Sequence, residues 1–285
     1  MLNRASKPFV KLVEKYLPDP YIFVLLLTLI TLVFAVVIQD QSPLTTVQQW
    51  GDGFWGLLTF SMQMLLVLVT GFMLACTPLV KTLLENLARL AKGPGSAIVL
   101  VTLVSLTASW INWGFGLVVG ALFAKALARK VSVDYRLLVA SAYSGFIVWH
   151  GGLAGSVPLT IATPGHFSEA QIGVIGTSET IFSGFNLLLL AIMFVVIPLV
   201  NRLMLPPKSE SVIVDSAKLQ DDALPSATNE RPADRLENSK ALGLLVGFAG
   251  LAYLTNYFVS GGGLNLNIVN TLFLFLAIVL HGTPR

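Results

Sequence analysis

The stretch that decides the fold is SWINWGFG, residues 109–116, which lies inside the long apolar run 97–124. A membrane-crossing helix ordinarily continues without interruption, because its backbone polar groups have no water to bond with. This octapeptide instead contains two tryptophans, an asparagine and two glycines. The question it raises is whether the chain crosses here or turns back.

The composition is that of an integral membrane protein. The 285 residues are 55% hydrophobic and 12% charged, with a mean hydropathy of +0.78, whereas soluble domains carry about 25% charged residues. An all-α polytopic fold follows, because barrel strands would be shorter and would alternate polar with apolar residues. The apolar runs that approach membrane-spanning length lie at 20–38, 57–75, 97–124, 137–163, 181–203, 241–259 and 268–280.

Composition and motifs also exclude several classes of function. The single cysteine, Cys76, rules out a disulfide framework and a cysteine metal cluster. There is no Walker, HExxH or GxSxG motif, and His150, His166 and His281 are too far apart to suggest a metal site. Basic residues are scattered and the net charge is only +3. We therefore expect no enzyme, no cofactor, no metal and no nucleic-acid partner.

The charges of the loops predict a re-entrant hairpin over 97–128. Short loops rich in Lys and Arg stay in the cytoplasm, which places the basic N-terminus inside and residues 39–56 and 164–180, which lack both, outside. A single crossing by 97–124 would put the basic cluster that follows it outside. If 97–109 enters and 115–128 returns, every loop keeps its expected side. Each arm of about 13 residues would rise about 20 Å.

The residue types at 109–116 suit the tip of such a hairpin. Gly114 and Gly116 would permit a tight reversal, while Ser109 and Asn112 would supply side-chain hydrogen bonds where backbone groups lack helical partners. The alternative is one long tilted helix, in which Gly116 and Gly120 form a close-packing face.

A second interruption, HGGLAGSVP at residues 150–158, predicts a broken helix over 137–163. Gly151, Gly152 and Gly155 would unwind the backbone, and Ser156 would cap the next helical piece with Pro158 in its first turn. The alternative is an ordinary helix kinked at its glycines.

These elements predict three segments. Residues 1–204 form a first transmembrane repeat, with helices 20–38 and 57–75, the hairpin 97–128, the broken helix 137–163 and helix 181–203. Residues 205–240, rich in Pro, Ser and acidic side chains, form a cytoplasmic hydrophilic linker that we expect to be disordered in part. Residues 241–285 begin a second repeat that is mostly absent, so we expect the chain to be truncated at its C-terminus.

Two successive interrupted helices are typical of the binding site of a secondary transporter, because half-helix N-termini attract anions and exposed carbonyls coordinate cations. No Asp, Glu, Lys or Arg lies centrally in an apolar run. His150 is the one ionisable candidate for proton coupling, and Asn112 with Ser109 is a candidate for sodium coupling. An ion channel or a non-transporting membrane scaffold is the alternative.

Five stretches resemble a known family: LPDPYIF (17–23), WGDGFWGLL (50–58), INWGFGLVVGALFA (111–124), GSVPLTIATPG (155–165) and FSGFN (182–186). The chain closely resembles the bacterial short-chain fatty acid transporter family over essentially its whole length. The resemblance implies an inner-membrane permease for small monocarboxylates such as butyrate or acetoacetate. It also implies the ion-transporter fold, with two inverted repeats that each contain a hairpin and a broken helix.

We therefore expect the hairpin and the broken helix to hold a monocarboxylate by ion-coupled alternating access, with H⁺ or Na⁺ as the coupling ion. Trp110, Trp113 and Trp149 would pack its acyl tail or, equally, anchor the helices. The expected location is the inner membrane with a cytoplasmic N-terminus. The sequence leaves open whether the protein forms a homodimer. The predicted substrate-binding residues are Ser109, Asn112, Trp113, Gly114, Gly116, Gly151, Gly152, Ser156 and Thr160.

Overall fold

The computed structural model describes residues 2–219 and 239–282, which fold as helices joined by turns and loops. Six of the described helical segments are long and apolar enough to cross a membrane. The predicted all-α polytopic membrane fold is therefore confirmed. The helices are α1 (Leu2–Tyr16), α2 (Pro20–Ile38), α3 (Pro43–Gly53), α4 (Leu58–Ala75), α5 (Pro78–Ala88), α6 (Pro94–Ile111), α7 (Trp113–Ala128), α8 (Tyr135–Ser144), α9 (Ser156–Ile161), α10 (Glu169–Ile172), α11 (Gly184–Leu203), α12 (Lys240–Val259) and α13 (Leu266–Gly282).

The chain divides into two compact units, Met1–Met62 and Gln63–Arg285. In the first unit, α2 begins where the Asp19 side chain accepts a hydrogen bond from the Tyr21 N–H (2.8 Å). The 19 residues of α2 include none that is buried, as expected for a helix that faces lipid. Helix α3, capped by Ser42, occupies a region that the sequence pattern left as a loop.

In the second unit, α6 and α7 form an antiparallel helical hairpin. Helix α6 ends at Ile111, Asn112 adopts an extended conformation (φ −155°, ψ 126°), and α7 starts at Trp113. The arms are 18 and 16 residues long, longer than the predicted 13 or so, so α6 alone reaches about 27 Å. The reversal occurs at Asn112. The expectation that the backbone freedom of Gly114 and Gly116 permits it is wrong, because both lie in α7 with helical conformation. Gly116 instead leaves the space that Ser109 of α6 occupies.

The region predicted as a broken helix consists of three pieces: α8, a 3₁₀ segment (Gly145–Gly151) and α9. Residues 152–155 separate the last two. The expectation that Ser156 caps α9 is wrong. Ser156 is the first residue of α9, and Gly155 occupies the cap position, which has no side-chain cap hydrogen bond.

The first part of the predicted linker packs against the start of α8. The backbone of Val212 pairs with residues 134 and 135: its carbonyl accepts from the Tyr135 N–H (2.9 Å), and its N–H donates to Asp134 Oδ2 (2.8 Å). Asp134 also caps α8 by accepting from the Leu137 N–H and forms an ion pair with Arg136. We call residues 205–219 the strap. Residues 220–238 of the predicted linker lie outside the described residues.

Asp134 is the residue that holds the strap. Burial by itself would raise the pKa of this carboxyl group, but the hydrogen bonds from Arg136, Val212 and Leu137 outweigh it and lower the pKa below its usual value of 3.8. The carboxylate is therefore ionised, and accepts from all three groups, throughout the physiological range.

We predict that Asp134→Asn loosens the strap at neutral pH without removing the α8 cap. The asparagine keeps one oxygen for the Leu137 N–H, but its amide nitrogen cannot accept from Val212 or Arg136. Tryptic cleavage after Lys208 and Lys218 should become about tenfold faster, equivalent to about 1.4 kcal/mol. Asp215→Asn makes the same chemical change at an exposed position of the strap and should leave the rate unchanged. Equal rates for both variants would contradict this role.

We also predict that acid releases the strap only at low pH. Because the folded-state pKa of Asp134 is lowered, its contribution to stability is present above the unfolded-state pKa of about 3.9 and is lost as the pH falls through the folded-state value. Hydrogen exchange at the Val212 amide should therefore show protection down to about pH 4. Loss of that protection between pH 5 and 7 would show that another group holds the strap.

Candidate functional site

The two interrupted elements meet at their interruptions. The Leu153 N–H, just after the 3₁₀ segment, donates to the Trp110 carbonyl at the end of α6 (2.7 Å). A methyl group placed on Gly152 would collide with the same carbonyl group of Trp110. The missing side chain of Gly152 therefore lets the backbone of the second element reach the end of the first.

Helix α4 closes the hairpin break from another side. A methyl group on Gly71 would collide with the Phe115 backbone nitrogen and would lie 2.7 Å from Asn112 Oδ1, and one on Gly114 would lie 2.7 Å from Leu68 Cα. Leu68 lies just past the middle of α4 (Leu58–Ala75), and Gly71 lies about one turn before its end. The break therefore packs against the second half of a membrane-length helix.

Asn112 caps α7 and keeps a free donor. Its Oδ1 accepts from the Phe115 N–H (2.9 Å), as expected of a good N-cap residue. Its Nδ2 has no hydrogen-bond partner, although the residue is 0% exposed. Buried polar groups without partners are rare in proteins, so each one requires an explanation.

Two neighbouring donors are also buried without a partner. They are Ser109 Oγ, whose residue is 1% exposed, and Trp113 Nε1. Ser109 lies against Gly116, where a side chain on the facing helix would collide with it. The structure thus gathers four predicted site residues, Ser109, Asn112, Trp113 and Gly116, around one break. A fifth, Gly114, holds the break against α4.

Aromatic rings from the second element pack beside the break. The Trp113 ring lies 5.7 Å from Trp149 and 6.4 Å from Phe146, and Phe146 stacks on Trp149 at 4.9 Å. Trp110 packs elsewhere, with a cluster around Leu106 and other side chains. The Trp113–Phe146–Trp149 rings, which we call the aromatic wall, form an apolar surface next to the unpartnered donors.

The remaining predicted residues are less directly involved. His150 is exposed, with its ring 3.8 Å from that of Trp149. Gly151 faces α11, where Asn186 Nδ2 donates to its carbonyl (3.0 Å). The Thr160 hydroxyl already donates to the Ser156 carbonyl within α9 (2.6 Å), so that proton is not available to a ligand while the bond lasts. Among the described residues, no three His, Cys, Asp or Glu side chains group to hold a metal.

Sequence reasoning missed Gly71, Phe146 and Asn186. Two of them left a signal in the sequence. A lone glycine in the apolar run of α4 indicates a close approach of another element, and an asparagine near the start of α11 indicates a side-chain hydrogen bond. Their partners lie far away along the chain, so the residues alone did not say what they contact.

We predict that Gly71→Ala disrupts the packing of α4 on the break. The added methyl group would overlap backbone atoms of Phe115 and Gly114, which cannot move aside as a flexible side chain would. The free energy of unfolding should fall by about 1–3 kcal/mol, read as a lower melting temperature in detergent. Gly184→Ala is the matched control, since a methyl group there meets nothing within 4 Å. An equal change in both variants would contradict the close approach.

The chain is similar to known proteins of one family. The whole chain, residues 1–285, matches the family described as short chain fatty acid transporter. A protein of Escherichia coli is 45% identical over 291 residues, and one of Haemophilus influenzae is 41% identical over 296 residues. Both carry a name that proposes a short-chain fatty acid transporter. The match covers 100% of this chain but 66% of each relative's length. No solved structure matches the chain.

Proposed function

We propose that this chain, which belongs to the short-chain fatty acid transporter family, binds a short-chain monocarboxylate at the α6–α7 break and carries it across the membrane by ion-coupled alternating access. The observation that carries the proposal is the meeting of two interrupted helices around buried donors without partners. Family membership indicates a transporter rather than an enzyme. The bacterial inner membrane, with the N-terminus in the cytoplasm, is the proposed location.

In this proposal the hairpin is re-entrant. Its break contacts α4 at Leu68 and Gly71, in the second half of a helix long enough to span the bilayer, which supports a tip within the bilayer. The loops before α6 and after α7 are both basic, which supports a cytoplasmic position for both. Non-helical backbone at that depth is tolerated where protein or a polar cavity surrounds it.

The carboxylate would bind at the N-terminus of α7. Unpaired N–H groups and the helix dipole there favour a negative charge, and Ser109, Asn112 and Trp113 add side-chain donors. The acyl tail would lie along the aromatic wall. A small carboxylate with a short apolar tail fits both surfaces.

Transport requires that the site open. Ser109 and Asn112 are almost fully enclosed in this structure, so a substrate would reach them only when the hairpin and the broken helix separate. We propose that the coupling ion, H⁺ or Na⁺, favours this movement.

We predict that Asn112→Leu abolishes butyrate uptake into proteoliposomes by the protein expressed from its complete reading frame. Leucine removes both the α7 cap and the unpartnered donor. The matched control is Asn201→Leu, which removes another buried amide, bonded to Thr102 and Ser144 away from the break. The folded fraction of this control variant should keep the wild-type KM for butyrate. Normal uptake by folded Asn112→Leu would refute the site.

Counterflow separates a carrier from a channel in the same preparation. Preloaded unlabelled butyrate should accelerate entry of labelled butyrate, because a carrier returns faster when loaded. Entry that does not saturate and shows no counterflow would favour a channel, and the absence of any uptake by the folded wild type would favour a scaffold.

A further inference from the structure

The unpartnered atoms around the α6–α7 break share one chemical property: they can all donate a hydrogen bond. The amide nitrogen of Asn112 and the indole nitrogen of Trp113 can only donate, and the hydroxyl of Ser109 can donate or accept. The side-chain oxygen of Asn112 already accepts one hydrogen bond, from the Phe115 N–H, and keeps one further lone pair. A ligand that satisfies this site must therefore present acceptors.

We propose that the site takes its substrate as the ionised carboxylate and not as the undissociated acid. This inference rests on the proposed function and adds the protonation state of the substrate. An ionised carboxylate offers only acceptors, at two oxygens. The undissociated acid uses one oxygen as an O–H donor, for which the break offers the Ser109 hydroxyl, the second lone pair of Asn112 Oδ1 and the last carbonyls of α6 as acceptors. It therefore offers fewer acceptor sites than the anion to the three unpartnered donors.

The helices at the break provide no cationic side chain to neutralise that anion. Helices α4 and α6 contain no charged residue, and the one charge in α7 is Lys125, about 18 Å along the helix from Trp113. The helix N-terminus supplies only partial positive charge. Because the bound form is the anion, the substrate's own proton stays in solution, and a coupling H⁺ or Na⁺ would bind at a separate place.

One titratable group lies close enough to complicate a pH test. An imidazole is the side chain whose ordinary pKa lies nearest neutral pH, and the His150 ring lies 3.8 Å from that of Trp149 in the aromatic wall. The described charged or histidine residues on elements packed against the hairpin, beyond α7 itself, are Lys81 and Glu85 on α5, Arg136 on α8, His150 in the 3₁₀ segment, Arg202 on α11, and Lys208, Glu210, Asp215 and Lys218 on the strap.

The pH dependence of butyrate binding tests the inference. Butyric acid ionises near the pKa of a glutamate side chain, about 4.3, so its anion concentration is nearly constant between pH 6 and 8 while the acid falls about tenfold per pH unit. The purified protein from the complete reading frame should bind labelled butyrate with one Kd across this range. His150→Gln should give the same flat profile. A Kd that rises about tenfold per pH unit in both proteins would overturn the inference.

Two further outcomes are informative. A pH dependence that disappears in His150→Gln would belong to the histidine and would leave the anion as the bound form. If folded wild-type protein binds no butyrate at any pH, the proposed function itself fails, which is distinct from binding that follows the undissociated acid.

Trp113→Phe tests the donor directly, since it keeps an aromatic ring and removes the indole N–H. We expect about tenfold weaker butyrate binding, in line with the loss of a hydrogen bond to a charged group. The matched control is Trp149→Phe, which changes another ring of the aromatic wall whose nitrogen is not among the unpartnered buried atoms. It should change the Kd much less. Equal effects of the two variants would mean that Trp113 only packs, and would overturn the inference that these donors bind the anion.

Discussion

The hydrogen bond from the Phe115 N–H to Asn112 Oδ1 is the interaction on which the rest of the structure depends. It starts a new helix one residue after the old one ends, and so converts an apolar run into two antiparallel arms. The same side chain keeps its amide nitrogen free and enclosed. One residue thus sets the direction of the chain and supplies a donor at the point of reversal.

Small residues then bring the surrounding elements to this point. Gly71 admits the start of α7 against the second half of α4, and Gly152 admits the second interrupted element against the Trp110 carbonyl. The result is a polar break enclosed by apolar helices, with aromatic rings on one side. Helices α4 and α6 add no charged side chain to this break, so its polar groups are the side-chain donors and the helix ends.

Apolar run lengths were sufficient to predict the all-helical membrane fold, and Asn112 with its neighbours marked the break. The packing role of Gly114 was not predictable, because its contacts with Val67 and Leu68 of α4 are distant in sequence, whereas Gly116 contacts the nearby Ser109 across the hairpin. The cap of α9 was misassigned by one position, since Gly155 occupies the cap position and makes no side-chain hydrogen bond. The docking of Val212 on Asp134 was hidden in a segment whose composition indicates a solvated linker.

The most direct test is the side of the membrane on which the hairpin ends. With Cys76 replaced by serine, single cysteines at Lys92, Ser132 and Ala170 would mark the loop before α6, the loop after α7 and helix α10. The account predicts that an impermeant thiol reagent labels positions 92 and 132 only from the cytoplasmic face and position 170 only from outside. Labelling of position 132 from the same side as position 170 would show that the chain crosses at Asn112, and would contradict the account.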